Sequence, residues 1–205
     1  MKKLFTVLLL TATSLTAFSQ EKGSFELGFN VGYNTASVRS GSDVNGSTRS
    51  GFNFAGFGDY FFSDRWSIKA KLIYDQKGWN KGYFTNLDNN QSFETDYHMD
   101  YLTIPVMANW HFGKKRNWYL NFGPYAGILL SAKETRFDTD LKSIMNSTDV
   151  GLAFGVGVKI PVSSRIKILL EVDGQEGFAD IVKDNQGSTI MNTRGGFNAG
   201  LVFGL

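Results

Sequence analysis

Along most of this chain, apolar and polar residues alternate one by one. The last segment sets Phe197, Ala199, Leu201, Phe203 and Leu205 against Asn198, Gly200, Val202 and Gly204. A period of two predicts a β-strand with one apolar face. Seven further segments share the pattern. Phe25, Leu27, Phe29, Val31 and Tyr33 form one apolar row, and Trp66, Ile68, Ala70, Leu72 and Tyr74 another. Leu102, Ile104, Val106, Ala108, Trp110 and Phe112 make a third, followed by Trp118, Leu120, Phe122, Ala126, Ile128 and Leu130. The cleanest row is Val150, Leu152, Phe154, Val156, Val158, Ile160 and Val162; Ile166, Ile168, Leu170 and Val172 complete the set. Only Gly51 to Phe62 is ambiguous, because Phe52 and Phe54 lie on one face and Phe57 and Phe61 on the other.

The connections alternate too. Ser63-Asp64-Arg65, Gly113 to Asn117 and Ser163-Ser164 are short enough for hairpin turns. Between them lie polar stretches, roughly 39–50, 81–96, 134–149 and 182–194, expected to be long loops. A final strand at a sheet edge would expose unpaired backbone groups, and pairing it with the first strand removes the edge. The expected fold is all-β: an eight-stranded antiparallel up-and-down transmembrane β-barrel with short periplasmic turns and four long outward loops.

Alternation alone does not say which face looks out, since a soluble eight-stranded barrel has the same period with its apolar face inward. Here the polar face is rich in Gly, Ala, Asn and Ser, which fit a narrow lumen. Aromatics such as Trp66, Trp110, Trp118, Tyr33 and Tyr74 fall near strand ends, as interfacial girdles require. The apolar stretches also match the roughly 9–11 residues that a tilted strand needs to cross the hydrocarbon. Together these place the apolar face against lipid.

The N-terminus changes the charge balance. Basic Met1-Lys2-Lys3, apolar Leu4 to Leu10 and small-x-small Ala17-Phe18-Ser19 read as a secretory signal peptide over residues 1–19, leaving 20–205 as the barrel. Removing its two lysines leaves 19 basic and 19 acidic side chains, so nothing points to nucleic acid. With no cysteine, the exported chain has no disulfide or thiol chemistry.

On the inward face, Glu26, Asp59, Asp75, Glu171 and Asp173 are matched by Lys69, Lys71, Lys77, Lys159 and Lys167. An eight-stranded barrel is only wide enough for side chains to fill. Charges there must pair, because burying one alone is costly. The expected result is a structural charge network that plugs the lumen; a narrow path for small solutes is the alternative.

Four stretches of the second half stand out: Tyr101-Leu102-Thr103-Ile104-Pro105, Asn121-Phe122-Gly123-Pro124-Tyr125-Ala126-Gly127, Asp149 to Gly157, and Gly177-Phe178-Ala179-Asp180-Ile181. In their order and spacing the second half resembles the PorT-like small outer-membrane barrels of the Bacteroidota. The resemblance covers about residues 97–205 and implies an eight-stranded outer-membrane barrel. Its name-giving member is linked to protein secretion and gliding. Two positions depart from the pattern: Glu171-Val172-Asp173-Gly174 stands where relatives often carry an Arg-Tyr pair, and the chain ends in Leu205 rather than an aromatic.

Catalytic candidates are few. His98 and His111 stand on one strand 13 positions apart, which at ~3.3 Å per residue is roughly 40 Å. A rim group of Ser92, His98 and Asp96 or Asp100 would need hydrogen-bond geometry that sequence proximity does not supply. His111 is expected at the headgroup interface or a turn. Asp88-Asn89-Asn90 and Asp138-Thr139-Asp140 offer oxygen ligands but lack the full calcium-loop pattern. No enzyme, cofactor or metal is expected.

The loops are then the functional candidates. Tyr83, Phe84, Leu87 and Phe93 are set among polar residues, either to contact a partner or to cap the barrel mouth. Thr139 to Met145 could form a short capped helix. The expected role is a monomeric, non-enzymatic outer-membrane scaffold presenting loops to a ligand or a secretion or envelope partner, inserted by the barrel assembly machinery. The alternatives are a narrow pore and a soluble periplasmic ligand-binding barrel.

Overall fold

The computed structural model describes residues 22–40, 43–86 and 91–205. The leader reading of residues 1–19 lies outside them, as do Leu87 and the Asp88-Asn89-Asn90 stretch. Eight strands follow in order: β1 (Phe25–Ser40), β2 (Asp43–Phe61), β3 (Trp66–Asn86), β4 (Gln91–Phe112), β5 (Trp118–Glu134), β6 (Thr148–Pro161), β7 (Ile166–Gly177) and β8 (Ile190–Gly204). Each pairs antiparallel with its neighbours, and β8 closes on β1 with Leu27 opposite Phe203 and Val31 opposite Ala199. Closure satisfies every wall strand, the only way a sheet can stand in hydrocarbon.

The faces resolve as the alternation requires. Leu27, Phe29, Val31, Phe122, Leu152, Phe154 and Val172 are exposed on the outside, while Asn30, Asp59, Lys69, Asn109, Lys159 and Asn198 are buried inside. A soluble barrel would show the reverse, so the periplasmic ligand-binding alternative falls. The ambiguous strand resolves as well: Phe52 and Phe54 face outward, whereas Phe57 and Phe61 turn into the lumen, where each meets a lysine. An inward aromatic is admitted where the facing residue is small. Phe57 pairs with Gly28, whose missing Cβ leaves room for the ring.

Two of the short turns use the same device. Ser63 Oγ accepts from the Trp66 amide at 3.0 Å, and Ser163 Oγ accepts from the Ile166 amide at 3.1 Å. The middle turn bends through positive φ at Gly113 (84°) and Arg116 (53°).

The first two outward loops are corrected. β1 and β2 extend to Ser40 and from Asp43, and β3 and β4 run 21 and 22 residues to Asn86 and from Gln91. Above the membrane both faces of a hairpin meet water, so a polar sequence rich in Thr, Tyr and Asn stays extended without an apolar period. The transition is marked by register shifts between Ala36 and Val38, Thr48 and Asn53, Trp79 and Gly82, and Asp100 and Tyr101. Bulges at a barrel rim re-aim side chains; after the last, β5 turns Ala132 inward and Lys133 outward.

Candidate functional site

The interior is a stack of polar layers under an apolar cap. At the periplasmic end, Lys159 Nζ lies 2.5 Å from Glu26 Oε2 and 2.6 Å from Asp59 Oδ2, and Lys167 Nζ lies 2.5 Å from Glu26 Oε1. Asn109 donates to Asp59 at 3.0 Å. Next above, Glu171 accepts from Lys69 at 2.8 Å, from Lys71, from the Tyr119 hydroxyl at 2.7 Å and from Asn121 at 3.1 Å. Arg194 then joins Asp75 (3.1 Å) and Asp173 (2.7 Å), and Gln175 donates to Asp75. In the top polar layer, Lys77 and Asp149 meet at 3.0 Å, with Tyr125 and Asn192 donating to the same carboxylate.

Six cations thus face six carboxylates, and each is ion-paired. Neutrality of the whole set is what lets it stay charged in a buried space. The ten charged residues expected in the lumen all lie there, together with two that the sequence pattern had left at loop boundaries, Asp149 and Arg194. Asp149 stands at the start of β6 and Arg194 in the outer part of β8, where polar loop and polar lumen look alike; their inward parity was the available signal. Aromatic faces line the lysines: Lys69 lies 4.7 Å from the Phe57 centroid and 4.6 Å from that of Tyr119.

His111 is corrected. It is fully buried in the lumen, with Nε2 3.0 Å from Ser67 Oγ and its ring 4.8 Å from that of Phe61. His98 stands on the outer side of β4, and Ser92 lies six residues further along the same strand, roughly 20 Å away. The imagined rim group therefore never assembles. Among the described residues, no group of three or more His, Cys, Asp or Glu could hold a metal ion. Asp138 instead pairs with Lys133 at 3.0 Å.

Above the charges the mouth is closed by Val38, Trp79, Tyr97, Met99, Tyr101, Leu129 and Ala132 from the strands. Leu141 and Met145 come down from the third outward loop and Ile181 from the fourth. Trp79 and Tyr97 stack at 4.4 Å. The third loop makes a single turn rather than the expected helix: the Ile144 and Met145 amides both reach the Leu141 carbonyl, and Asp140 accepts from the Lys142 amide. Bridges from Lys133 to Asp140 and from Met145 to Val182 tie it down.

Glu134 anchors this loop. Its carboxylate accepts from the Thr95 hydroxyl and from the amides of Phe137 and Thr139. Burial raises its pKa, but those hydrogen bonds outweigh burial and hold it below the ordinary value.

Among the described side chains of the second loop, Tyr83 and Phe93 stand outside the cap over the mouth. Tyr83 is 71% exposed. Phe93 packs edge-on against Phe137 under the Arg136 guanidinium. Phe84 stands opposite Phe93 in the β3–β4 register.

A wall apolar outside, charged inside and closed strand to strand is the geometry of an outer-membrane barrel. The outer membrane protein beta-barrel domain family model matches residues 18–183. The chain belongs to this family. It is an integral outer-membrane barrel. Among solved structures it is similar to OprG from Pseudomonas aeruginosa, with TM-score 0.53 and 10% identity over 91% of this chain and 98% of that one. It is also similar to Neisserial surface protein A, with TM-score 0.51 and 16% identity over 89% of this chain and 99% of that one. At such identities the likeness is one of fold. No curated protein sequence matches the chain.

Proposed function

We propose that this barrel is a sealed membrane anchor whose work is done by its outward surface, which it presents to a ligand or to a secretion or envelope partner. The observation that carries the reading is the double closure of the lumen: paired charges fill its length, and side chains of the third and fourth loops fill its mouth. A barrel so filled offers no solute path, which disfavours the pore. What remains accessible is the β3–β4 hairpin, standing well clear of the bilayer with Tyr83 at its flank, and the third-loop residues Phe137 and Ile144, about half exposed. Exposed aromatic and aliphatic anchors on a rigid support are the residues that carry binding energy. The resemblance of residues 97–205 to PorT-like barrels makes a secretion-related protein the first partner class to test.

The test is a photo-crosslinking residue at position 83 in living cells. The reading expects a discrete protein or glycan adduct there and only lipid adducts at position 152. Equal, lipid-only labelling at both positions would contradict it.

A further inference from the structure

The charges outside the lumen are not shared evenly between the two ends of the barrel. Among the described residues the periplasmic end carries Lys22, Arg65, Lys114, Lys115, Arg116 and Arg165 against one acid, Asp64. At the outward end seven basic side chains face ten acidic ones, again among the described residues. Even with Glu21 counted against it, the periplasmic end keeps four positive charges. The chain beyond residue 19, neutral as a whole, is polarised end to end. The lumen cannot cancel this excess, because its lowest cations, Lys159 and Lys167, already hold Glu26 and Asp59.

The excess is built into rigid turns. Two share one construction: Ser63 Oγ accepts from the Arg65 amide and Ser163 Oγ from the Arg165 amide, each at 3.4 Å. The arginine carbonyls then hold the next strand, Arg65 accepting from the His111 amide at 2.7 Å and Arg165 from the Gly204 amide at 2.9 Å. In the middle turn the Arg116 guanidinium lies 3.3 Å from Asp64 Oδ2 and donates to the Asp64 carbonyl at 3.2 Å. That contact ties the middle turn to the first and engages the one described acid of this end. Lys22, Arg65, Lys114, Lys115 and Arg165 remain, all exposed and, among the described residues, none ion-paired.

These five cations stand at four stations round the ring: between β2 and β3, β4 and β5, β6 and β7, and at the entry to β1 beside the end of β8. Strands ~4.8 Å apart and tilted by ~40° make that ring roughly 16 Å across. Neighbouring stations are then separated by about one Debye length, so their potentials add. A single lipid headgroup meets one station; a polyanion lying across the end of the barrel meets all four.

We propose that the periplasmic end is a docking platform for an acidic, extended segment of a periplasmic protein. Arg65 and Arg165 take its carboxylates in two-pronged pairs, and Lys114 and Lys115 add charge at the tip of the middle turn. The platform lies across the membrane from the outward loops and is independent of what they bind.

The test uses the whole barrel in phosphatidylcholine nanodiscs, which leave both ends open. The probe is a glutamate peptide of about ten residues, long enough at ~3.3 Å per residue to cross the ring, carrying a fluorophore and a benzophenone. The wild type should bind it, more weakly as salt rises, and irradiation should place adducts on residues 113–117 or 163–165. Lys114→Glu with Lys115→Glu should weaken binding at least about tenfold, or about 1.4 kcal/mol. Lys142→Glu with Lys183→Glu, the same reversal at the outward end, should leave it within about twofold. Heat-dependent gel mobility confirms that each variant is folded. Overturning results are no binding at low salt, equal losses from the two double variants, or adducts confined to the outward loops. Phosphatidylglycerol held stoichiometrically by the wild type in native mass spectrometry, and lost with Lys114→Glu and Lys115→Glu, would also overturn the proposal by making a headgroup the occupant.

Discussion

Lys69 and Glu171, 102 residues apart in sequence, meet at 2.8 Å across the lumen. They come from β3 and β7, four strands apart on the ring of eight, so the pair is a strut between opposite walls. Lys71 shares the same carboxylate. The whole constellation is buried, so its worth is conditional: removing one partner of a buried pair costs about 3–5 kcal/mol, while replacing the whole group by apolar residues is often neutral. Glu171→Gln strands two lysines and should lower the midpoint of thermal or urea unfolding strongly, followed by gel mobility. Changing Lys69, Lys71 and Glu171 together to Met should recover most of that loss.

The two faces of the wall should answer the same substitution differently. A Cβ on Gly157 would fall on the Tyr119 ring and within 2.8 Å of the Leu170 carbonyl oxygen, inside a filled lumen. A Cβ on Gly174 would meet only the Phe154 ring, which lies over it on the lipid side. Gly157→Val should therefore destabilise by about 1–3 kcal/mol or more, as overpacking does. Gly174→Val should cost less, because Phe154 can swing into lipid. Paired unfolding curves decide between them.

Glu134 makes the third loop sensitive to acid. Its pKa is lowered in the folded barrel, so its contribution is fully present above the ordinary carboxylate range. That contribution is lost as pH falls through the lowered value, because protonation removes the charge that holds the amides of Phe137 and Thr139. Hydrogen exchange at these two amides should accelerate on acidification, beyond the intrinsic pH effect, and Glu134→Ala should show the fast rate at neutral pH.

Much of this molecule was legible from alternation. Period two gave all eight strands, and the small polar residues opposite each apolar row gave the inside. What escaped was of two kinds. Residues 39–50 and 81–96 read as loops because a hairpin surrounded by water has no apolar period to betray it, yet strand pairing continues through most of both. Leu141 and Met145 lie in the stretch read as a short capped helix, and Ile181 in the family-like stretch before the fourth loop; only the three-dimensional path shows them gathered over Trp79 and Tyr97 as a lid. Asp149, Arg194 and His111 were missed as lumen groups for a related reason, since partners on strands far apart in sequence leave no local signature.

The lid adds a prediction of its own. Leu141→Ser together with Met145→Ser removes two of its apolar side chains. Hydrogen exchange in the third loop should rise, while the β6–β7 ladder stays protected, because the wall does not depend on the lid.

The most direct test of the sealed barrel is single-channel recording of the purified protein in a planar bilayer. A lumen filled by paired charges and a loop-formed lid should stay silent at every voltage. Discrete, reproducible conductance steps from the wild-type protein would contradict it and restore the pore.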